Sequence, residues 1–249
     1  MFAMSEISEI NGIKYLIKNK EDLIQKTLFN KVQWNNDVIL LIARIQKKYD
    51  LKHCLNIGCH IGTLALPLSK YIQKVTAIEA YPPTFKHLNE NIKLNNIKNI
   101  ESINQAMGNK NQEIYFLDES NDRIKNNTGG MHVITNEDIE NNRLSSEIHS
   151  KKILNYMKRL DDSNIKEFDL LIIDVEGKEY EMLLGGKEKI LKYKPIILIE
   201  IWGNKKRQQE NMNTSSEEII EHIQNLKYKL VSRFGDNYIF LPEHLDENK

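Results

Sequence analysis

In this 249-residue sequence, acids stand where stretches of apolar residues end. The block Asp174-Val175-Glu176-Gly177 follows the strand-like stretch Phe168 to Ile173. Two carboxylates flanking a bend at the mouth of a sheet can orient an acceptor or take a proton from it. Acids also serve simply as caps at a helix start. The run Lys52 to Ile57 enters a second such place, Asn56-Ile57-Gly58-Cys59-His60-Ile61-Gly62. Glycines there either let the backbone approach a ligand or only mark a tight turn. Glu79 ends the next run, 21 residues after Gly58. An acid so placed can accept hydrogen bonds from both hydroxyls of a ribose. Loop and acid together point to a nucleoside-containing ligand. A dinucleotide fingerprint needs a glycine two residues after Gly58, and His60 stands there instead. Glu200 and Trp202 close a fourth apolar run. The tryptophan can stack on a sugar ring or simply pack.

These residues need a parallel sheet to bring them together, and the hydrophobic pattern supplies one. Helical spacing of Val38, Leu41, Ile42 and Ile45 predicts a helix over Asn35 to Lys48. A strand over Lys52 to Ile57, a helix over 63–72 and a strand over Lys74 to Glu79 follow. Pro82 and Pro83 open a helix to about Asn96. Residues 100–104 and 113–118 read as strands, and Glu119 to Asp161 is polar and hard to read. Phe168 to Ile173 has the pattern of a central parallel strand, followed by a helix from Lys178 broken at Gly185-Gly186 and a strand over Pro195 to Ile201. Thr214 or Ser215, three residues before Glu217 or Glu218, can form a capping box for a helix to Leu226. Tyr228 to Ser232 and Tyr238 to Leu241 flank Gly235-Asp236-Asn237 as a closing hairpin. Residues 1–34 read as a lead-in with one or two short helices and 35–249 as the core of a single domain. The expected fold is a doubly wound, Rossmann-like α/β domain.

Lys and Arg total 35, as do Asp and Glu, so the formal net charge is zero. A nucleic-acid footprint normally needs a basic stripe, and only Lys205-Lys206-Arg207 forms a local patch. No run approaches the ~20 apolar residues of a membrane span, and Met1 to Glu9 lacks a signal-peptide pattern. Cys54 and Cys59 are too few for a disulfide framework, which makes a reducing cytoplasm the expected compartment.

The loop spacing Asn56, Gly58, His60, Gly62 fits the form of this turn found in methyltransferases. With Val75-Thr76-Ala77-Ile78-Glu79-Ala80, Leu88-Asn89-Glu90-Asn91, Ala106-Met107-Gly108, Asn127-Thr128-Gly129-Gly130 and Leu160-Asp161-Asp162, it resembles the FkbM family of class I methyltransferases. The most specific stretch is Asp169 to Glu179, continuing through Leu184-Gly185-Gly186 and Lys194-Pro195 to Glu200. The resemblance covers Leu51 to Trp202. It implies a seven-stranded, mostly parallel sheet with a C-terminal antiparallel hairpin, and S-adenosyl-L-methionine as methyl donor. It also implies a hydroxyl of a sugar, glycan or other small metabolite as acceptor. Gly58 and Gly62 would line the methionine part of the donor, Glu79 would hold the ribose, and Gln105 would face the adenine. Asn56, Cys59, His60, Ala80 and Ala106 complete the donor set. Asn127, Gly129, Glu200 and Trp202 would lie on the acceptor side. Asn56 stands where the family usually has aspartate, His60 where asparagine is usual, and Ile172 where lysine is common.

Asp174 or Glu176 is the expected base or acceptor-orienting group, and His60 is a further candidate because an imidazole titrates near neutrality. Asp174, Glu176 and Glu200 offer the oxygen ligands a hard cation prefers, but no spacing rule supports a metal, and none is expected. Two alternatives stay open. Tyr81-Pro82-Pro83 is similar to a motif of nucleic-acid base methyltransferases, though it follows the second strand rather than the fourth. A catalytically weak cofactor-binding protein kept for assembly or sensing is the other.

Overall fold

A computed structural model describes residues 5–117, 126–136 and 152–246. Its centre is a seven-stranded sheet of mixed direction. The strands that position the site are β3 (His53–Ile57), β4 (Lys74–Glu79), β10 (Leu170–Ile173) and β11 (Ile196–Glu200). With β5 (Ile100–Asn104) they run parallel, in the spatial order β11-β10-β3-β4-β5. The antiparallel pair β12 (Tyr228–Phe234) and β13 (Asn237–Pro242) extends the sheet beyond β11. Every residue of β3 and β10 is buried, as the apolar runs require for strands covered on both faces. One face carries Leu55, Ile57, Leu171, Ile173 and Ile199, packed on α5 (Glu179–Gly185) and α8 (Ser216–Asn225). The other carries Cys54, Leu170, Ile172 and Leu198, packed on α2 (Asn36–Tyr49) and α3 (Ala65–Leu68). Ser215 is the residue that caps α8, with both bonds of the capping box present.

From β3 the chain proceeds outward through β4 and β5, then crosses to the other side of β3 for β10 and β11. The reversal opens a crevice at the carboxyl ends of β3 and β10. α4 (Pro82–Leu94) begins at the prolines. The helix after β3 is shorter than its apolar content suggests: only 65–68 are helical within the predicted 63–72.

Two other parts differ from the sequence reading. The lead-in is a β-hairpin, β1 (Glu6–Ile10) and β2 (Ile13–Ile17), followed by a single helix, α1 (Leu23–Phe29). Asn11 and Gly12 turn the hairpin with φ of 50° and 69°, the geometry that an Asn-Gly pair favours. Its buried residues Ile10, Ile13, Tyr15 and Ile17 pack with Leu28, Ile61 and Leu66, against the loop that follows β3. Asn91 of α4 locks this arrangement: its Oδ1 accepts from Leu16 N at 2.8 Å, and its Nδ2 donates to Ile61 O at 2.9 Å. A second, four-stranded sheet contains β6 (Ala106–Met107), β7 (Gln112–Leu117), β8 (Ile134–Thr135) and β9 (Lys152–Lys158). β9 belongs to the stretch whose polarity hid its strand. Residues 119–125 and 137–151 of that stretch, and residue 118 at the end of the expected strand 113–118, lie outside the described residues.

α7 (Asn204–Gln209) sets Arg207 beside Glu179, with Nη1 3.4 Å from Oε2 and both side chains almost fully buried. The other oxygen of Glu179 accepts Gly177 N at 2.8 Å, and Arg207 Nε donates to Thr214 O at 2.5 Å. The pair therefore braces the turn that carries Glu176. Arg207→Ala leaves a buried carboxyl without its counter-charge, which costs about 3 kcal/mol. Urea unfolding is expected to read that loss as a lowered midpoint with an unchanged slope.

Candidate active site

Gly58 leaves β3 with φ of 80°, and its amide and that of Cys59 both donate to Ile78 O, at 2.9 and 3.1 Å. A Cβ on Gly58 would lie 1.6 Å from the carbonyl oxygen of Asp174. No side chain fits, so the glycine is required by the approach of two strand ends. Glu79, at the end of β4, holds the loop from its other side. Its Oε2 accepts His60 N and its Oε1 accepts Tyr81 N, both at 2.8 Å. Burial raises the Glu79 carboxyl to about 7 despite those bonds. Asn56, on β3, is 1% exposed, and neither its amide oxygen nor its amide nitrogen has a partner among the described residues.

Asp174, Glu176 and Glu200 converge opposite this loop, each with a carboxylate oxygen within 4.8 Å of the others. That spacing is close enough to share a hard cation or a proton. Burial, then the charges of Glu200 and Glu176, push Asp174 well above the usual carboxylate range, and it is hydrogen-bonded to Glu200. Burial and Glu200 raise Glu176 to about 8, with Lys206 opposing. Glu176 and His60 both take left-handed backbone angles, φ 51° and 48°, a strained setting that concentrates at functional sites.

Between these two groups lies a cleft of about 300 Å³, at the lower end of ligand-pocket sizes. Asn56, Gly58, Cys59, His60, Glu79, Ala80, Gln105 and Ala106 line it, together with Asn127, Gly129, Asp174, Glu176 and Glu200. Gly62 and Trp202 are not among the lining residues. Gly62 turns the chain behind the loop, where a Cβ would strike Leu66 and Leu88. Trp202 is 2% exposed, set edge-on to His132, beneath the Lys206 ammonium, and donates to Glu200 Oε2 at 3.0 Å. Gln105 spends its amide on Tyr156 O. Thr128 and Lys206, which the sequence showed only as part of a motif and of a basic patch, also line the cleft, and Asp22, which the sequence reading passed over, binds Thr128. Asp22 carried the one usable signal, an acid directly before a helix start.

Residues 56–230 match the methyltransferase FkbM domain. The chain belongs to the FkbM methyltransferase family. Among solved structures, an FkbM methyltransferase from Methylobacillus flagellatus KT is similar in fold, with 14% identity and a TM-score of 0.52. The alignment covers 77% of this chain and 44% of that one, so the chain spans less than half the length of that relative. Trm5b from Pyrococcus abyssi aligns at 13% identity and TM-score 0.48, over 96% of this chain and 55% of that one. TYW2 of M. jannaschii in complex with AdoMet aligns at 14% and 0.43, over 97% and 86%. No curated protein matches the sequence. The FkbM match begins at Asn56 and contains the Gly58 loop, Glu79 and the whole acidic group. Among the described residues no helix is long and apolar enough to cross a membrane.

The raised carboxyls of this FkbM chain bind protons more tightly folded than unfolded. Their stabilising contribution is complete below the unfolded value near 4.5, and it disappears as pH rises through about 7 for Glu79 and Glu179 and about 8 for Glu176. His60 and His87, lowered by burial to about 4, act in the opposite sense but only below their unfolded value of 6.5. Between pH 6.5 and 8.5 the ligand-free protein is therefore expected to lose roughly 2 kcal/mol per pH unit. Urea midpoints across that window check this, and Glu176→Gln should flatten the slope.

Proposed function

We propose that this chain transfers the methyl group of S-adenosyl-L-methionine to a hydroxyl of a sugar, glycan or other small metabolite. The observation that carries the reading is the pairing of Asn56 and Glu79 on one wall of the cleft with the acidic group on the other. The Asn56 amide is buried with both polar atoms unsatisfied, and a polar ligand is what such a group calls for. Glu79 is already fixed by two backbone amides, so each oxygen keeps a lone pair to offer a ribose hydroxyl at little entropic cost. These residues fit the adenosyl donor. When bound, that donor supplies a methyl group activated by its sulfonium.

The chain's own task is then alignment and proton management. Alignment is worth up to about 7–11 kcal/mol when two reactants are well placed. An alcohol needs a route for its proton. Glu176, near 8, holds both protonation states around neutral pH and suits that exchange. Asp174, its carboxyl raised by burial and by Glu200, orients the group through its bond to Glu200. Lys206, fixed over Trp202 at 3.4 Å, tempers the negative charge of the cluster. Asn127, Gly129 and Glu200 border the acceptor's side of the cleft.

Calorimetric titration with the donor or with S-adenosylhomocysteine tests the binding half. Glu79→Ala is expected to weaken binding at least tenfold, about 1.4 kcal/mol. Asp174→Asn should bind within twofold of wild type and lose about 100-fold in turnover. Radiolabelled donor offered with fractionated glycans, lipids and metabolites identifies the acceptor. Wild-type protein that binds neither compound, or label that passes to RNA or DNA, would overturn the proposal.

A further inference from the structure

Leu23, Ile24 and Trp34 of the lead-in line the cleft directly, and Asp22 reaches its wall through Thr128. Asp22 caps α1, its Oδ1 accepting Gln25 N at 3.0 Å. Its Oδ2 accepts twice from Thr128, from the backbone amide at 2.9 Å and from the hydroxyl at 2.8 Å. Leu23 N, next in the chain, donates to Asn126 O at 3.0 Å, so segment 126–130 is docked on the start of α1. Thr128 Oγ1 also lies 3.0 Å from Nε2 of His60.

The proton count along this chain has one consistent solution. Oδ2 of Asp22 accepts from the Thr128 hydroxyl, so the single proton of that hydroxyl is spent there. Oγ1 then turns only lone pairs toward His60, and Nε2 must carry the hydrogen. The opposite tautomer would set two lone pairs face to face. Burial keeps the imidazole neutral, and a neutral ring protonated at Nε2 has a bare Nδ1. That atom is buried and has no partner among the described residues, although the ring itself lines the cleft. The backbone amide of the same residue is held by Glu79, so His60 belongs to the loop assigned to the donor while its ring reaches across to Thr128.

We propose that Asp22 and Thr128 are positioning residues that lock His60 in its Nε2–H form, so that Nδ1 accepts a hydrogen bond from an N–H or O–H group of the adenosyl donor. The inference rests on the donor reading above and adds a direction to one of its bonds. It also gives the N-terminal hairpin and α1 a role at the site, because a tautomer set from Asp22 depends on their docking.

Nitrogen-15 NMR of protein labelled at histidine reads the tautomer directly without any ligand, with His60 assigned by the signal lost in His60→Gln. Wild type should show a protonated Nε2 and a bare Nδ1. Asp22→Ala removes the oxygen that takes both Thr128 donors, which leaves the hydroxyl proton free to turn toward Nε2. The tautomer should shift toward Nδ1–H. Thr128→Val should give a mixture, and Thr128→Ser should keep the wild-type pattern. S-adenosylhomocysteine should move the Nδ1 resonance of wild type and bind Asp22→Ala at least tenfold more weakly, with thermal melts showing that the variant is folded. A wild-type Nδ1–H form, or a tautomer unchanged in both Asp22→Ala and Thr128→Val, overturns the lock. Tight binding with an unmoved Nδ1 overturns the inference alone, whereas absence of binding to wild type overturns the donor reading with it.

Discussion

Where β3 and β10 end, the α-carbon of Gly58 comes so close to the carbonyl of Asp174 that a single added carbon would sit 1.6 Å from its oxygen. Asp174 N donates to Ile57 O at 3.0 Å across the same point. Two loops from distant parts of the sequence therefore leave the sheet side by side, one bearing His60 just after Asn56 of β3, the other bearing Asp174 and Glu176. Their separation is set by backbone contact and not by flexible side chains. Chemistry between a ligand on one loop and a ligand on the other gains from that rigidity, since small displacements of reacting atoms are costly.

The same closeness concentrates negative charge. Asp174, Glu176, Glu179 and Glu200 lie near one another, and the buried arginine beside them is engaged with Glu179. The three acids of the cleft are partly buried, and burial is the main cause of each raised carboxyl. Such a cluster lowers its energy by keeping protons, by moving apart or by meeting a positive ligand. Moving apart is prevented by the brace of Gly177 on Glu179 and by Trp202 on Glu200. A cationic group entering the cleft would therefore bind more strongly as pH rises and the acids ionise, while the empty fold becomes less stable. Stability and affinity are set against one another at the same residues, a common arrangement at functional sites.

The sheet strands were legible because burial on both faces demands continuous apolar runs, and Leu170 to Ile173 or Ile196 to Ile199 admit little else. The Ser215 capping box was legible for a local reason, a side chain bonding its own helix. What escaped depends on partners far along the chain. Leu154 and Tyr156 of β9 are exposed, so that strand offers no clean alternation and is recognised only through its pairing with β7. The hairpin turn Asn11-Gly12 was readable in principle, but the alternation around it is short. Among the site residues, Asn56, Glu79, Asp174 and Glu176 follow from their places at strand ends. Gly62 and Trp202 share that kind of position and still face inward, because sequence spacing fixes the end of a strand and not the direction of the next side chain.

Thr128 and Asp22 form the instructive case. Neither residue type is unusual where it stands, and 106 residues separate them. Asp22 is satisfied as a helix cap through one oxygen, so its second oxygen becomes interesting only once the hairpin is docked against α4 through Asn91. The route from sequence to site thus runs through packing: Ile10, Ile13 and Tyr15 bury the hairpin beside Ile61 and Leu66, the burial orients α1, α1 presents Asp22, and Asp22 decides which proton Thr128 can give. An apolar cluster outside the central sheet controls the protonation of a cleft histidine, by geometry alone and with no charge of its own.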